Sequence, residues 1–154
     1  MLNYSNSPKI ILFLLILLWC IGLAFPLLKL FGIANPLLEL FLSHSYGNVC
    51  HQQQEKLVVV FGVKLFVCWR CAGIYFGALE ASFISIFYSK EIRITNSLFA
   101  ASAVPMIIDV ALYSSRIYSY NNWIAFSTGI ILSTISLIYI LQAFENQIKN
   151  KRFT

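Results

Sequence analysis

The chain has 154 residues, of which 59% are hydrophobic and 11% are charged. Soluble domains carry about 25% charged residues, so this composition, with a mean hydropathy of +0.77, excludes an ordinary soluble domain. It indicates a single integral membrane domain over residues 1–154, with the lipid bilayer as its partner. The formal net charge of +5 does not indicate nucleic-acid binding, because the lysines and arginines are scattered along segment ends, where they set membrane orientation.

The first apolar segment covers residues 10–28 and contains no charged residue. As a helix it measures about 28 Å, roughly the thickness of a bilayer core. A secretory signal peptide would have a shorter apolar core and a cleavage site of small residues, whereas residues 25–28 read Phe-Pro-Leu-Leu. We therefore predict a retained transmembrane helix over residues 10–28.

A short helix over residues 36–46 is predicted next, because Asn35-Pro36 is typical of a helix start and the segment is too short to span a bilayer. We expect this helix to lie at the membrane interface or to pack on the bundle. Residues 57–67 are rich in Val and Phe with a glycine near the middle, which favours an extended hairpin over a helix. The hairpin belongs to a cysteine-containing loop of residues 47–67.

Three further transmembrane helices are predicted over residues 68–88, 96–113 and 122–144. The expected fold class is an all-α membrane protein with four transmembrane helices, a short interfacial helix and a cysteine-containing loop or hairpin between the first two spans. Gly73 and Gly77 are spaced so that helices can approach closely in lipid, which places the second span at the centre of the bundle.

Four spans place both termini on one side of the membrane. The basic residues on that side are Lys9, Lys90, Arg93, Lys149, Lys151 and Arg152, and those on the other side are Lys29, Lys56, Lys64 and Arg116, with Arg70 at a helix end. This excess predicts cytoplasmic termini and an outward-facing cysteine loop.

Three of the four cysteines and one of the two histidines lie between residues 50 and 71. Cys68 and Cys71 form a C-x-x-C, a standard half-site for zinc, and Cys50 with His51 could supply the other half. Both members of an adjacent pair bind one ion only from a turn, since neighbours in an extended chain point to opposite sides. We expect these four residues as zinc ligands. If only one of the pair binds, Asp109 or water could complete the set, and three protein ligands plus water are typical of catalytic zinc sites.

Two simpler interpretations of the cysteine cluster stay open. A zinc ion could be a closed staple that ties the loop to the second span, or a disulfide could close the loop in an extracytoplasmic setting. Cys20 lies in the middle of the first span, and we expect it to be a small buried apolar residue.

Ionisable residues inside spans are costly, so they are candidate functional residues. Arg70 lies inside the C-x-x-C, Asp109 lies near the end of the third span, and Arg116 follows on about the same helical face as Asp109. We expect Asp109, Arg70 and Arg116 as candidate catalytic residues. The alternative is an Asp109–Arg pair that only neutralises itself. Glu80, in the second span, is a weaker candidate.

The same motifs resemble those of a known family. The matching residues are Cys50-His51-Gln52, Phe61-Gly62, residues 68–77, Pro105 with Asp109, and Asn122 with Thr128-Gly129. Over roughly residues 45–135 the chain resembles small bacterial and archaeal membrane proteins known as domain of unknown function 2085. The resemblance implies a membrane fold, a prokaryotic cytoplasmic membrane and a site at these residues, and it implies no activity. The chain departs from the family pattern at Phe66, Val110 and Ala125, where many members have Pro, Gly and Arg.

Three functions are compatible with these features. The first is an integral membrane protein with a zinc-type site at one membrane face, extended to metal-assisted hydrolysis or transfer on an anionic or lipid-like substrate. The second is a membrane thiol–disulfide oxidoreductase that uses Cys68 and Cys71 with Cys50, because a four-helix bundle with C-x-x-C at a helix start resembles the quinone-linked disulfide-generating enzymes. The third is a non-enzymatic membrane subunit whose metal or disulfide is only a staple.

Overall fold

The computed structural model describes residues 7–33, 35–87 and 93–151, which form a helical bundle with one small hairpin. The helices are α1 (Ser7–Leu23), α2 (Pro36–Gly47), α3 (Trp69–Phe87), α4 (Asn96–Ser114) and α5 (Asn122–Lys151), with a 3₁₀ helix at Phe25–Phe31. The strands β1 (Leu57–Val60) and β2 (Val63–Cys68) lie between α2 and α3. The fold is therefore mostly helical, and the predicted hairpin is present.

Three helices of the described residues are long and apolar enough to cross a membrane. They are α3, α4 and the part of α5 up to Gln147. A fourth span exists if α1 and the 3₁₀ helix that follows it are counted together as one. The predicted membrane character is thus supported, with three or up to four candidate spans.

The first predicted span is not one continuous helix over residues 10–28. α1 ends at Leu23, and the chain bends by 48° into the 3₁₀ helix. Pro26 explains the break, because proline lacks a backbone N–H and its ring clashes with the carbonyl four residues earlier in an α-helix. Gly32 then ends the 3₁₀ helix with a φ of 73°.

α2 begins and ends close to the predicted bounds. The side chain of Asn35 accepts a hydrogen bond from the N–H of Leu38 at 3.2 Å, which caps the helix. Near the other end, Tyr46 is buried and donates its hydroxyl to the carbonyl of Trp19 at 2.5 Å. Leu37 and Leu40 are exposed. The C-terminal end of α2 is therefore anchored on α1, and its place at the membrane interface stays a prediction.

The hairpin leads the chain directly into α3. β1 and β2 are antiparallel, and Phe61 and Gly62 at the tip have φ values of 49° and 79°. Two consecutive residues with positive φ are typical of the tight turn that suits a two-residue hairpin. Leu57 pairs with Cys68, and α3 begins one residue later at Trp69.

The first turns of α3 pack backbone to backbone against α5. A Cβ atom placed on Gly73 would lie 2.2 Å from the carbonyl oxygen of Phe126, and one placed on Gly129 would lie 2.6 Å from the carbonyl oxygen of Arg70. Any larger residue would push the two helices apart, so the small residues have the packing role that their spacing indicates. This contact holds the start of α3 in place.

α5 continues to Lys151, whereas the predicted helix ends at residue 144. Residues 145–151 contain neither proline nor glycine, so nothing in them stops the helix. Lys9 in α1 forms an ion pair with Glu145 at 2.7 Å, so the start of α1 and this part of α5 lie at the same end of the bundle. The side of the membrane on which this end lies stays a prediction.

Some residues used in the predictions cannot be placed. Outside the described structure lie Tyr88, Lys90 and Arg152, and the side chains of Lys149 and Lys151.

Candidate thiol and ion-pair site

Three cysteine thiols meet where β2 runs into α3. Cys68 is the last residue of β2, Cys71 lies in the first turn of α3, and Cys50 lies in the loop after α2. The Sγ atoms of these residues, here called the thiol group, all lie within 4.8 Å of one another. Cys20 lies apart from them, half-buried in α1, with its sulfur 3.9 Å from the carbonyl oxygen of Tyr75.

The loop that carries Cys50 is fixed by hydrogen bonds from both of its sides. The N–H of Cys50 donates to the carbonyl of Tyr46 at 2.9 Å. The side-chain amide of Gln52 donates to the carbonyls of Ser43, at 3.1 Å, and Phe66, at 2.9 Å. Gln52 thus bridges α2 and β2 and holds the loop between them. Sequence reasoning missed this role, although Gln52 directly follows the Cys-His pair in the matched motif.

Hydrogen bonds to Cys50 favour a negative charge on its sulfur. The thiols of Cys68 and Cys71 and the backbone N–H of Cys68 all donate to this sulfur, the last at 3.3 Å. These donors lower the pKa of Cys50 from its ordinary range, against the opposing effect of burial. A thiolate is the form of cysteine that binds metal ions and attacks disulfides.

His51 does not join the thiol group. Its side chain is exposed, whereas Cys50 is 4% exposed. The turn after α2, in which the N–H of Cys50 bonds to the carbonyl of Tyr46, buries Cys50 and leaves His51 facing outward. The structure therefore brings together three of the four predicted ligands, and the metal-binding role of all four stays a prediction.

Asp109 is engaged with two side chains instead of with the thiol group. Arg70 donates from Nη2 to its Oδ2, and the Tyr118 hydroxyl donates to its Oδ1. The side chain of Asp109 is 2% exposed, and a polar group this deeply buried needs such partners to offset the loss of its contacts with water. The pair links α3 to α4 directly beside Cys71.

Arg116 lies apart from this ion pair. It was expected on the helical face of Asp109, but α4 ends at Ser114, and Arg116 sits in the following turn with a φ of 56°. The helical-face argument is therefore wrong, because the helix stops before reaching Arg116. The exposed Arg116 lines a cavity of about 470 Å³ with Tyr113, Ser114, Ile117, Tyr118 and Ser119. Glu80 is also exposed, on α3. The candidate catalytic roles stay predictions.

Lys56 and Tyr120 complete this polar end of the bundle, and neither was predicted as a site residue. The Lys56 Nζ lies 4.0 Å from the ring centroid of Tyr113 and 5.2 Å from that of Tyr120. Arg70 Cζ lies 5.9 Å from the Tyr120 ring. Burial raises the pKa of Tyr120 to about 12, so its hydroxyl is a protonated donor at neutral pH. The cluster of tyrosines around the end of the third span could have indicated Tyr120 from the sequence, because tyrosine combines an apolar ring with a polar hydroxyl and so suits a half-buried site.

Comparisons with known proteins agree with the motif resemblance. A family model described as a predicted membrane protein (DUF2085) matches residues 50–139, which include the thiol group, the ion pair and the tyrosines. An uncharacterized protein of Methanocaldococcus jannaschii, MJ1492, is 33% identical over 109 residues, which cover 69% of this chain and 70% of that protein. No solved structure matches the chain. The chain therefore belongs to the DUF2085 family of predicted membrane proteins.

Proposed function

We propose that this protein holds a thiolate-bound metal ion of the zinc type at one end of its membrane bundle. Cys50, Cys68 and Cys71 supply three protein ligands. The observation that carries the proposal is the mutual approach of three Sγ atoms that come from a loop, a strand end and a helix start.

The donor set fits zinc in chemistry and in size. Thiolates are soft ligands, which zinc accepts readily, usually in a tetrahedral arrangement. With Zn–S bonds of about 2.3 Å, two sulfurs of a tetrahedron lie about 3.8 Å apart. The limit of 4.8 Å on the three sulfur separations is compatible with this value after small side-chain rotations.

The fourth position decides what such a site does. A ligand from the chain, such as His51 after a rearrangement of its loop, would make a closed structural staple. A water molecule there would make an open site, which supplies an activated water or polarises a bound oxygen. The open form suits hydrolysis or transfer on an anionic or lipid-like substrate, because Arg70 lies between two of the ligands and Asp109 holds its guanidinium.

Elemental analysis of the purified protein tests the proposal. We expect about one zinc per chain in the wild type and a much lower zinc content in Cys71→Ser. A site with three sulfur ligands loses most of its affinity for the metal when one of these ligands is removed. Cys20→Ser is the matched control, since Cys20 lies outside the thiol group, and it retains the metal. The proposal is refuted if the wild type contains less than about one-tenth equivalent of metal per chain and Cys71→Ser contains the same amount.

A second candidate, thiol–disulfide exchange, is favoured by one observation. Cys50 lies within reach of both sulfurs of the C-x-x-C, the arrangement that passes a disulfide between three thiols. Formation of a Cys68–Cys71 disulfide releases two protons and two electrons, which a quinone-type oxidant would take up as it becomes a quinol. Thiol trapping in cells separates the two candidates. A C-x-x-C that stays reduced and never exchanges refutes the redox function.

A further inference from the structure

Two buried donors beside the thiol group lack a hydrogen-bond partner among the described residues. They are Arg70 Nε and the hydroxyl of Tyr120, whose oxygen lies near the backbone N–H of Arg70 but whose own proton has no acceptor among those residues. Proteins rarely leave buried polar atoms unpaired, because the lost hydrogen bond is costly. Arg70 already uses Nη2 for Asp109, so Nε is a further donor on the same guanidinium. Each of the two atoms could therefore donate a hydrogen bond to an acceptor that is not part of the described residues.

A second cation faces the same place. Lys56 contacts the faces of two tyrosine rings, and none of the ion pairs among the described residues includes it. The backbone also holds it there, since the carbonyl of Lys56 accepts the N–H of Trp69 at 3.1 Å. Lys56, Arg70 and Tyr120 thus come from the hairpin side, from α3 and from the loop before α5. The three residues are half-buried as wholes, but Arg70 Nε and the Tyr120 hydroxyl are themselves enclosed, so an anion reaches these two atoms only when neighbouring side chains move.

We infer that Lys56, Arg70 and Tyr120 form a binding site for a phosphate group beside the thiol group. The three donors come from three separate segments of the chain, so one anion that binds them all needs several acceptor oxygens. A phosphate offers more acceptor oxygens than the two of a carboxylate. Arginine and lysine are also the side chains that most often bind phosphate. The phosphate belongs either to a soluble compound or to a lipid headgroup.

This inference extends the proposed function by assigning the anionic group of its substrate to particular residues. The site itself does not depend on the metal. Metal content and phosphate binding are measured on the same preparations, so the two ideas can fail separately. A metal-free wild-type protein that still binds phosphate would refute the metal site and leave the phosphate site in place.

The first arm of the test uses inorganic phosphate and the full chain purified in detergent. Calorimetric titration at constant ionic strength, with chloride as the reference anion, measures binding. We expect Tyr120→Phe to weaken binding about tenfold, and Lys56→Met to weaken it at least as much, because each removes a donor to a charged group. Lys56→Arg keeps the charge and retains binding to within about threefold.

The second arm uses nanodiscs and detects bound lipid by native mass spectrometry. One set contains phosphatidic acid and the other only phosphatidylcholine. If the phosphate belongs to a lipid headgroup, phosphatidic acid stays bound to the wild type and is lost from Tyr120→Phe, while free phosphate binds weakly. If it belongs to a soluble compound, free phosphate binds and phosphatidic acid shows no preference.

Two matched controls check for effects of charge and of the phenol itself. Lys64→Met removes a cation whose ammonium donates to Gln54 at 2.9 Å on the hairpin, and Tyr139→Phe removes a hydroxyl that donates to Asn96. Both should bind phosphate as the wild type does. The inference is overturned if neither phosphate source binds, if Tyr120→Phe and Lys56→Met bind as well as the controls, or if these variants change only metal content. The last outcome would mean that Lys56 and Arg70 only balance the negative charge of the thiol group. Water would then accept the hydrogen bonds of Arg70 Nε and the Tyr120 hydroxyl.

Discussion

At the end of the bundle where α1 begins, polar groups pair with one another. Lys9 pairs with Glu145, the Tyr139 hydroxyl donates to the side chain of Asn96, and the side-chain Oε1 of Gln142 accepts the N–H of Ile94. These contacts tie helix ends together and leave each named group with a partner.

The opposite end of the bundle, here called the cysteine end, contains polar groups that are not all paired. It gathers three thiols, a nearly buried ion pair and aromatic rings, yet Arg70 Nε and the Tyr120 hydroxyl lack partners among the described residues. A protein gains no stability from unpaired buried donors. The named polar groups at one end of the bundle satisfy one another, whereas the other end keeps buried donors without partners among the described residues, which is the pattern expected if that end holds the proposed site.

Removal of metal should produce the largest difference between the two ends. If the thiol group binds zinc, a strong chelator should destabilise the wild type by about 4 kcal/mol, for free metal in thousandfold excess over Kd. Thermal unfolding in detergent measures the effect. Cys20→Ser should respond to the chelator as the wild type does. An unchanged melting temperature in both proteins would contradict the proposed role of the cysteine end.

The two ion pairs should differ next. Asp109→Asn should cost about 3 kcal/mol, because it leaves the guanidinium of Arg70 largely buried without its carboxylate. Glu145→Gln should cost about 0.5 kcal/mol, since its pair with Lys9 is more exposed to solvent. Chemical unfolding of the two variants in the same detergent gives the comparison. Equal losses would show that the Asp109 pair is no more than an ordinary surface contact.

Packing at the start of α3 should have a smaller effect. Gly73→Ala should cost about 2 kcal/mol, because its Cβ would overlap the backbone of Phe126. Gly47→Ala is the matched control, since its Cβ would meet only the side chain of Gln52, at 3.6 Å. We expect this control to be neutral in thermal unfolding. A stable Gly73→Ala protein would show that α3 and α5 can separate without loss.

The glutamine bridges should give the smallest change in stability. Gln52→Ala and Gln142→Ala should each cost about 1 kcal/mol, because each loses hydrogen bonds to the backbone. Zinc affinity should separate them. We expect it to fall about tenfold in Gln52→Ala, as for other residues that position metal ligands, and to stay unchanged in Gln142→Ala. Similar affinities in both variants would mean that the Cys50 loop keeps its shape without Gln52.

Local patterns predicted the elements that depend on neighbouring residues. The start of α2 follows from Asn35-Pro36, and the hairpin follows from its Val-rich strands around Gly62. The predicted first span was too long, because Pro26 breaks it, and the last helix was too short, because polar residues 145–151 contain no breaker. Both errors concern boundaries, where apolar content alone is a poor guide to helix ends.

Composition and motifs were enough to identify an apolar, mostly helical membrane protein of a recognisable family, with thiols concentrated in one loop and helix start. Composition, periodicity and short motifs act over neighbouring residues, so the printed chain contains them. Three features came only from the folded chain: Arg70 and not Arg116 contacts Asp109, His51 faces outward, and Lys56 and Tyr120 lie beside Arg70. These outcomes depend on where a helix ends and on which distant segments meet in space, and no spacing along the chain encodes them.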